Sequence, residues 1–346
     1  MRKPRLTFFC EQDSTDLVEL FQDPGVIDEL IALQAGISLA VIEMSEKRAD
    51  IVRMINKSGL PLFAWLVLPS DQGYYMNLDN YPQAATRYRE FQNWTVKNQL
   101  SWTGVGLAIE PDIRMLKELS TRKWRAIPGM LPRLIKNMFS QKRFRQAFKA
   151  YRELIAQIHI DGYMVESYQF PVLADERTIR STLLQRLTGI VDLPVDREIW
   201  MLYSSYFRRN GAGYLWSYAP QAQIIGVGST GGGVDIGNTD MTALGWDELS
   251  RDLRLAWHWT DQIYVHSLEG CIRQGYFTKI NSMLWDQPIL FPDEAAAPVD
   301  TARKVLQSCL WMCRNFIAVL ASLLGGYVIL DAVRRHYQNK NSIIGE

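Results

Sequence analysis

The chain has 346 residues, 47% of them apolar, 22% charged, and 39 aromatic (11 Trp, 15 Tyr and 13 Phe). That composition fills a large core and excludes disorder across the body of the chain. The 38 basic and 37 acidic side chains leave a formal net charge of +1, which excludes a global field drawing the protein onto nucleic acid.

The order of apolar runs decides the architecture. Eight short β-rich runs recur at Leu6–Cys10, Ser38–Glu43, Leu62–Leu68, Gly104–Glu110, Gly162–Glu166, Glu198–Tyr203, Gln223–Val227 and Gln262–Leu268. Helical patterns fill the gaps near Thr15–Leu33, Lys47–Asn56, Pro82–Asn98, Ile113–His159, Glu176–Leu187, Asp247–Thr260 and Cys271–Met283. The gap after the sixth strand, with Gly211, Gly213 and Pro220 among aromatics, reads as a broken helix or ordered loop. Eight strands alternating with helices suit one closed (β/α)8 barrel, of the TIM type, better than an open doubly wound sheet of five or six strands. The barrel is expected over residues 1–290, followed by a Pro-rich acidic linker at 291–300 and a C-terminal helical segment at 301–346.

Between these elements the sequence offers few nucleotide or metal motifs. The first strand leads into Glu11-Gln12-Asp13-Ser14, with Ser14 placed to cap the next helix, and no G-x-G-x-x-G or Walker A pattern occurs. The stretch Gly226–Gly233 follows a strand, and its backbone would bind phosphate only if its N–H groups converge. Cys10, Cys271, Cys309 and Cys313 show neither C-x-x-C nor zinc spacing, so no metal and no cofactor are expected. No secretory apolar segment follows Met1-Arg2-Lys3, and a cytoplasmic or membrane-associated location is expected. The basic run from Arg133 to Arg152 reads as a solvated helix face.

In a barrel the carboxyl ends of the strands converge on one face, so acids there mark candidate chemistry. Alternation along the fourth strand puts Gly104, Gly106, Ala108 and Glu110 on the inward face, with Val105, Leu107 and Ile109 facing the helices. Met164 and Glu166 share a face of the fifth strand. Glu110 and Glu166 are therefore the candidate catalytic pair, since two carboxylates in a low-dielectric cleft split into an acid and a base or nucleophile. Glu43 and Glu269 lie at the ends of the second and eighth strands. With Trp65, Tyr75, Asn77, Tyr168 and Tyr203 they form a candidate substrate-binding set, because flat aromatics with acids and amides suit sugar rings. His266 has no partner visible in sequence and reads as a packed histidine.

Thr103–Glu110 resembles the fourth-strand D-G-x-D-x-D-x-E signature of chitinase-type barrels. Gly104 and Glu110 match it, whereas Thr103, Gly106 and Ala108 occupy the aspartate positions. Met201-Leu-Tyr203 is similar to their sixth-strand M-Y-D pattern, with Leu202 inserted. The resemblance implies a glycoside-hydrolase-like barrel with Glu110 as proton donor and a carbohydrate or glycoconjugate as partner; the balanced charge gives no expectation of a nucleic-acid partner. The missing aspartates keep two alternatives open: an inactive carbohydrate-binding or membrane-associated scaffold, and a lyase, isomerase or metal-dependent hydrolase.

From Phe316 to Leu330 no residue is charged, and Arg334, Arg335 and Lys340 follow. The run is shorter than the ~20 residues that usually span a bilayer. It is expected to be either a membrane anchor extended upstream or a cap over the barrel.

Overall fold

The computed structural model describes residues 3–122, 127–233 and 243–316. Eight parallel strands close into a barrel in sequence order, β1 (Arg5–Cys10), β2 (Gly36–Val41), β3 (Leu62–Leu66), β4 (Gly104–Leu107), β5 (Met164–Gln169), β6 (Arg197–Met201), β7 (Ile224–Gly228) and β8 (Gln262–His266). Strand β8 pairs back onto β1, with Thr7 opposite Tyr264. This is a (β/α)8 TIM barrel, with a helix or helices between successive strands.

Period-two alternation separates two apolar cores. Val105, Leu107 and Ile109 belong to the large layer between strands and helices, whereas Ala108 belongs to the barrel interior with Phe9, Ala40, Trp65, Tyr168, Ile199, Ile224 and Tyr264. Gly106 is required on that inward face. A Cβ there would lie 2.0 Å from the Tyr168 hydroxyl, which crosses the interior to Ser38 Oγ at 2.9 Å.

The bottom of the barrel is closed by charge. Glu166 is fully buried, its Oε1 2.8 Å from Arg197 Nε and accepting from the Tyr264 hydroxyl at 2.6 Å. The Arg197 guanidinium lies over the Phe63 ring at 5.1 Å. Burial pushes the Glu166 carboxyl up to about 7, against the opposing pull of Arg197 and Tyr264.

Two local expectations are corrected. The helix after β1 is capped by Asp13, whose Oδ1 accepts from the Thr15 and Asp16 N–H groups at 2.8 and 3.0 Å. Ser14 is already the first helical residue, and its hydroxyl donates to Glu43. The linker read at 291–300 is mostly helix, because the helix Asp293–Arg314 begins there.

That helix packs on the barrel's outer layer. Asp175, fully buried, accepts from Tyr218 Oη at 2.6 Å, Arg303 Nε at 3.0 Å and Gln307 Nε2 at 2.8 Å. The backbone of Ala295 and Ala296 lies so close to Gly213 that a Cβ there would clash at 2.1 Å. Among the described residues no helix is long and apolar enough to cross a membrane. The upstream part of the expected anchor falls in the helix Asp293–Arg314, and the anchor's residues 317–346 lie outside the described residues.

Candidate active site at the barrel mouth

Glu11 follows β1 directly, and its side chain is almost wholly buried at the mouth. Its Oε1 accepts from the Tyr74 hydroxyl at 2.8 Å, and its Oε2 lies 3.9 Å from His266 Nε2. His266, the last residue of β8, places Nδ1 3.3 Å from Ser229 Oγ and its ring 5.6 Å from that of Tyr203. The partner that sequence could not show is thus a carboxylate from the neighbouring strand.

Glu110 is set by a second piece of backbone pairing. The loop after β3 runs back over the mouth, where Met76 N–H donates to Ala108 O at 2.8 Å and Glu110 N–H donates to Met76 O at 3.0 Å. The loop is held by its own amides. Asn80 Oδ1 accepts from Asn77 N–H at 2.7 Å, and Asn80 Nδ2 donates to Tyr75 O at 2.8 Å. This arrangement aims Tyr74 and Tyr75 at the acids, their rings 5.0 Å apart. Burial, with the negative charge of Glu11 adding to it, pushes the Glu110 carboxyl up to about 8. The hydroxyls of Tyr75 and Tyr203 are also held above the ordinary tyrosine range, chiefly by burial and partly by Glu110 and Glu11.

Glu269 enters from the opposite side. It is buried, its carboxyl is raised chiefly by burial, and its Oε1 accepts from Gly233 N–H at 3.0 Å. This N–H of the glycine stretch is thus spent on a carboxylate rather than left for phosphate. Gly233, at φ +81°, comes so near that a Cβ would stand 2.7 Å from Glu11 Oε2 and 2.9 Å from His266 Cε1. Only glycine allows this backbone to close over the pair.

The other residues singled out from sequence fall in three places. Tyr75 and Tyr203 are at the mouth with Glu110 and Glu269. Trp65 and Tyr168 are interior packing, their rings 5.5 Å apart and each edge-on to Phe9. Asn77 builds the loop, its Oδ1 accepting from Asp79 N–H at 2.9 Å. Glu43 lies to one side, bound to Arg48 Nη2 at 3.1 Å, while Arg48 also donates to Ala40 O and Gln12 O at 2.7 Å.

Glu110 and Glu166 are not brought together. Glu166 pairs in register with Gly106, four residues before Glu110, and neither carboxyl is among the causes of the other's shift: Glu110 is raised by burial and Glu11, Glu166 by burial against Arg197 and Tyr264. The carboxylate beside Glu110 is Glu11, whose signal was its position directly after β1. Among the described residues no group of three or more His, Cys, Asp and Glu side chains is arranged to hold a metal ion.

Fold and mouth together define a TIM barrel with a buried, tyrosine-walled acidic site at the carboxyl ends of its strands. No protein-family model matches the sequence, and no curated protein does. The chain is similar to the PgaB (BpsB) glycoside hydrolase domain from Bordetella bronchiseptica, with a TM-score of 0.48 and 9% identity over 81% of this chain and 98% of that one. It is also similar to D-psicose 3-epimerase from Clostridium cellulolyticum H10, solved with D-tagatose, with a TM-score of 0.38 and 11% identity over 87% and 99% of the two chains. A sugar phosphate isomerase/epimerase from Parabacteroides distasonis matches with a TM-score of 0.40 and 11% identity over 82% and 96%.

Proposed function

We propose that the barrel mouth is the active site of a carbohydrate-processing hydrolase, with Glu110 as the proton donor and Glu11 as its partner carboxylate. The observation that carries this reading is the Glu110 carboxyl, raised to about 8 by burial and by the adjacent negative charge. An acid that keeps its proton at neutrality can deliver it to a leaving-group oxygen. Glu11, fixed by Tyr74 and facing His266, supplies the second carboxylate that glycosidic chemistry uses as base or nucleophile. Tyr75 and Tyr203 would offer flat faces to a sugar ring, and Glu269 an acceptor for its hydroxyl groups.

The test is hydrolysis of a panel of oligosaccharides, with reducing ends counted, by the parent protein, Glu110→Gln and Glu11→Gln. Turnover that falls in both variants while their folded spectra stay unchanged supports the assignment. Turnover that survives both substitutions removes it.

A further inference from the structure

A groove of about 590 Å³, none of whose described lining residues belongs to the mouth site, runs between three helix ends. It is lined by Met138, Phe139, Leu183 and Phe316 among its apolar residues and by Arg180, Arg186 and Arg314. Among the described residues no acidic side chain lines it. Its walls are tied together from the arginine side, since Arg186 Nη1 donates to Met138 O and Arg314 Nη1 donates to Ile179 O. The rim is unusually apolar for a water-facing surface: Phe139 is 74% exposed and Phe316 63%. Trp311 and Met312 are exposed on the helix that ends there, and Lys142 is exposed beside the opposite wall.

We propose that this groove and its rim are a docking face for an anionic phospholipid bilayer, with the arginines meeting phosphate and Phe139 and Phe316 entering the acyl boundary. Charge complementarity is the first argument. Three guanidinium groups, with no acid among the described lining residues, match phosphate, which arginine binds through paired N–H donors. The second is the place where the described chain stops: Phe316 is on the rim, and the sequence continues to Leu330 with no charged residue. A bilayer is a partner that takes both an anion-seeking groove and an apolar segment, and the groove volume suits part of one lipid. The same contact would set the orientation of the barrel on the membrane.

The experiment is vesicle flotation of the full chain. One vesicle population is pure phosphatidylcholine and the other is phosphatidylcholine mixed with phosphatidylglycerol. The full chain is expected to float with the anionic vesicles, and high salt should weaken that binding. Arg180→Glu should reduce partitioning at least about fivefold, as expected for one basic residue near an anionic surface, and Phe139→Ser should reduce it further. Should Arg180→Glu fail to fold, Lys142→Glu on the exposed rim takes its place. Absence of the parent from the anionic vesicles, or equal flotation of parent and variants, overturns the proposal. Unchanged flotation with a lower unfolding temperature in the variants also overturns it, by showing that the groove holds the chain's own apolar segment.

Discussion

Glu110 and Glu11 reach the barrel mouth from β4 and β1, and the negative charge of Glu11 adds to burial in holding the Glu110 carboxyl at about 8. The chemistry proposed for the site follows from that relationship. Each acid is also fixed by something else, Glu110 through its backbone bond to Met76 and Glu11 through Tyr74.

The first prediction concerns pH. As a proton donor Glu110 works below its pKa, so kcat/KM should be high at neutrality and fall as pH rises through about 8. Glu11→Gln removes one of the two causes of the shift, and the alkaline limb should then move to lower pH. A pH–rate profile of parent and variant checks this. An alkaline limb that stays in place in Glu11→Gln would separate the two residues.

A second prediction is that the site stores instability. The ordinary value of 4.5 for Glu110 is raised to about 8 in the fold, so the folded state holds the proton more tightly than the unfolded state. The associated stability is complete below pH 4.5 and is lost as pH rises to about 8. Glu110→Gln removes that dependence and should stabilise the protein by roughly 3–5 kcal/mol at pH 8 and above, relative to the difference at pH 4. Denaturant unfolding at the two pH values measures it; a variant no more stable at pH 8 than at pH 4, relative to the parent, would contradict it.

The third prediction separates the bottom of the barrel from the mouth. Glu166→Ala leaves Arg197 and the Tyr264 hydroxyl without their buried acceptor. Because the Arg197 side chain is 23% exposed, the expected loss is about 2–3 kcal/mol rather than the larger figure for a fully buried pair. Activity per folded molecule should be little changed, and a large fall in it would bring Glu166 back into the chemistry.

Arg303→Ala provides a fourth. It removes the charged partner of the fully buried Asp175, and breaking such a pair costs about 3–5 kcal/mol. Deleting the chain from Thr301 onward should destabilise the barrel for the same reason. Thermal unfolding of the two altered chains near that of the parent would show that the helix is only appended.

The count and order of the strands were legible because each is a short β-rich run set between helical patterns, and Glu110 could be turned inward because β4 alternates glycine and alanine with larger apolar residues. Its partner was harder to read. Glu166 shares the inward face of β5, but which level of the barrel it reaches depends on strand register, which alternation does not encode. Glu11 was visible as an acid after β1, and His266 as an unpartnered histidine, yet their approach arises only when β8 closes onto β1. The Asp175–Arg303 pair spans 128 residues of sequence. Nothing local in residues 291–300 marks them as part of a helix docked on the barrel rather than a linker.

The most direct test of the proposed chemistry is the turnover of Glu110→Gln on the oligosaccharide that the parent cleaves fastest, measured by product formation at neutral pH. With the acid replaced by an isosteric amide, kcat should fall by roughly 10²–10⁴-fold while the protein stays folded and binds the sugar. Turnover equal to that of the parent, or a parent that cleaves no member of the panel, would contradict the assignment of Glu110 as the proton donor of a carbohydrate hydrolase.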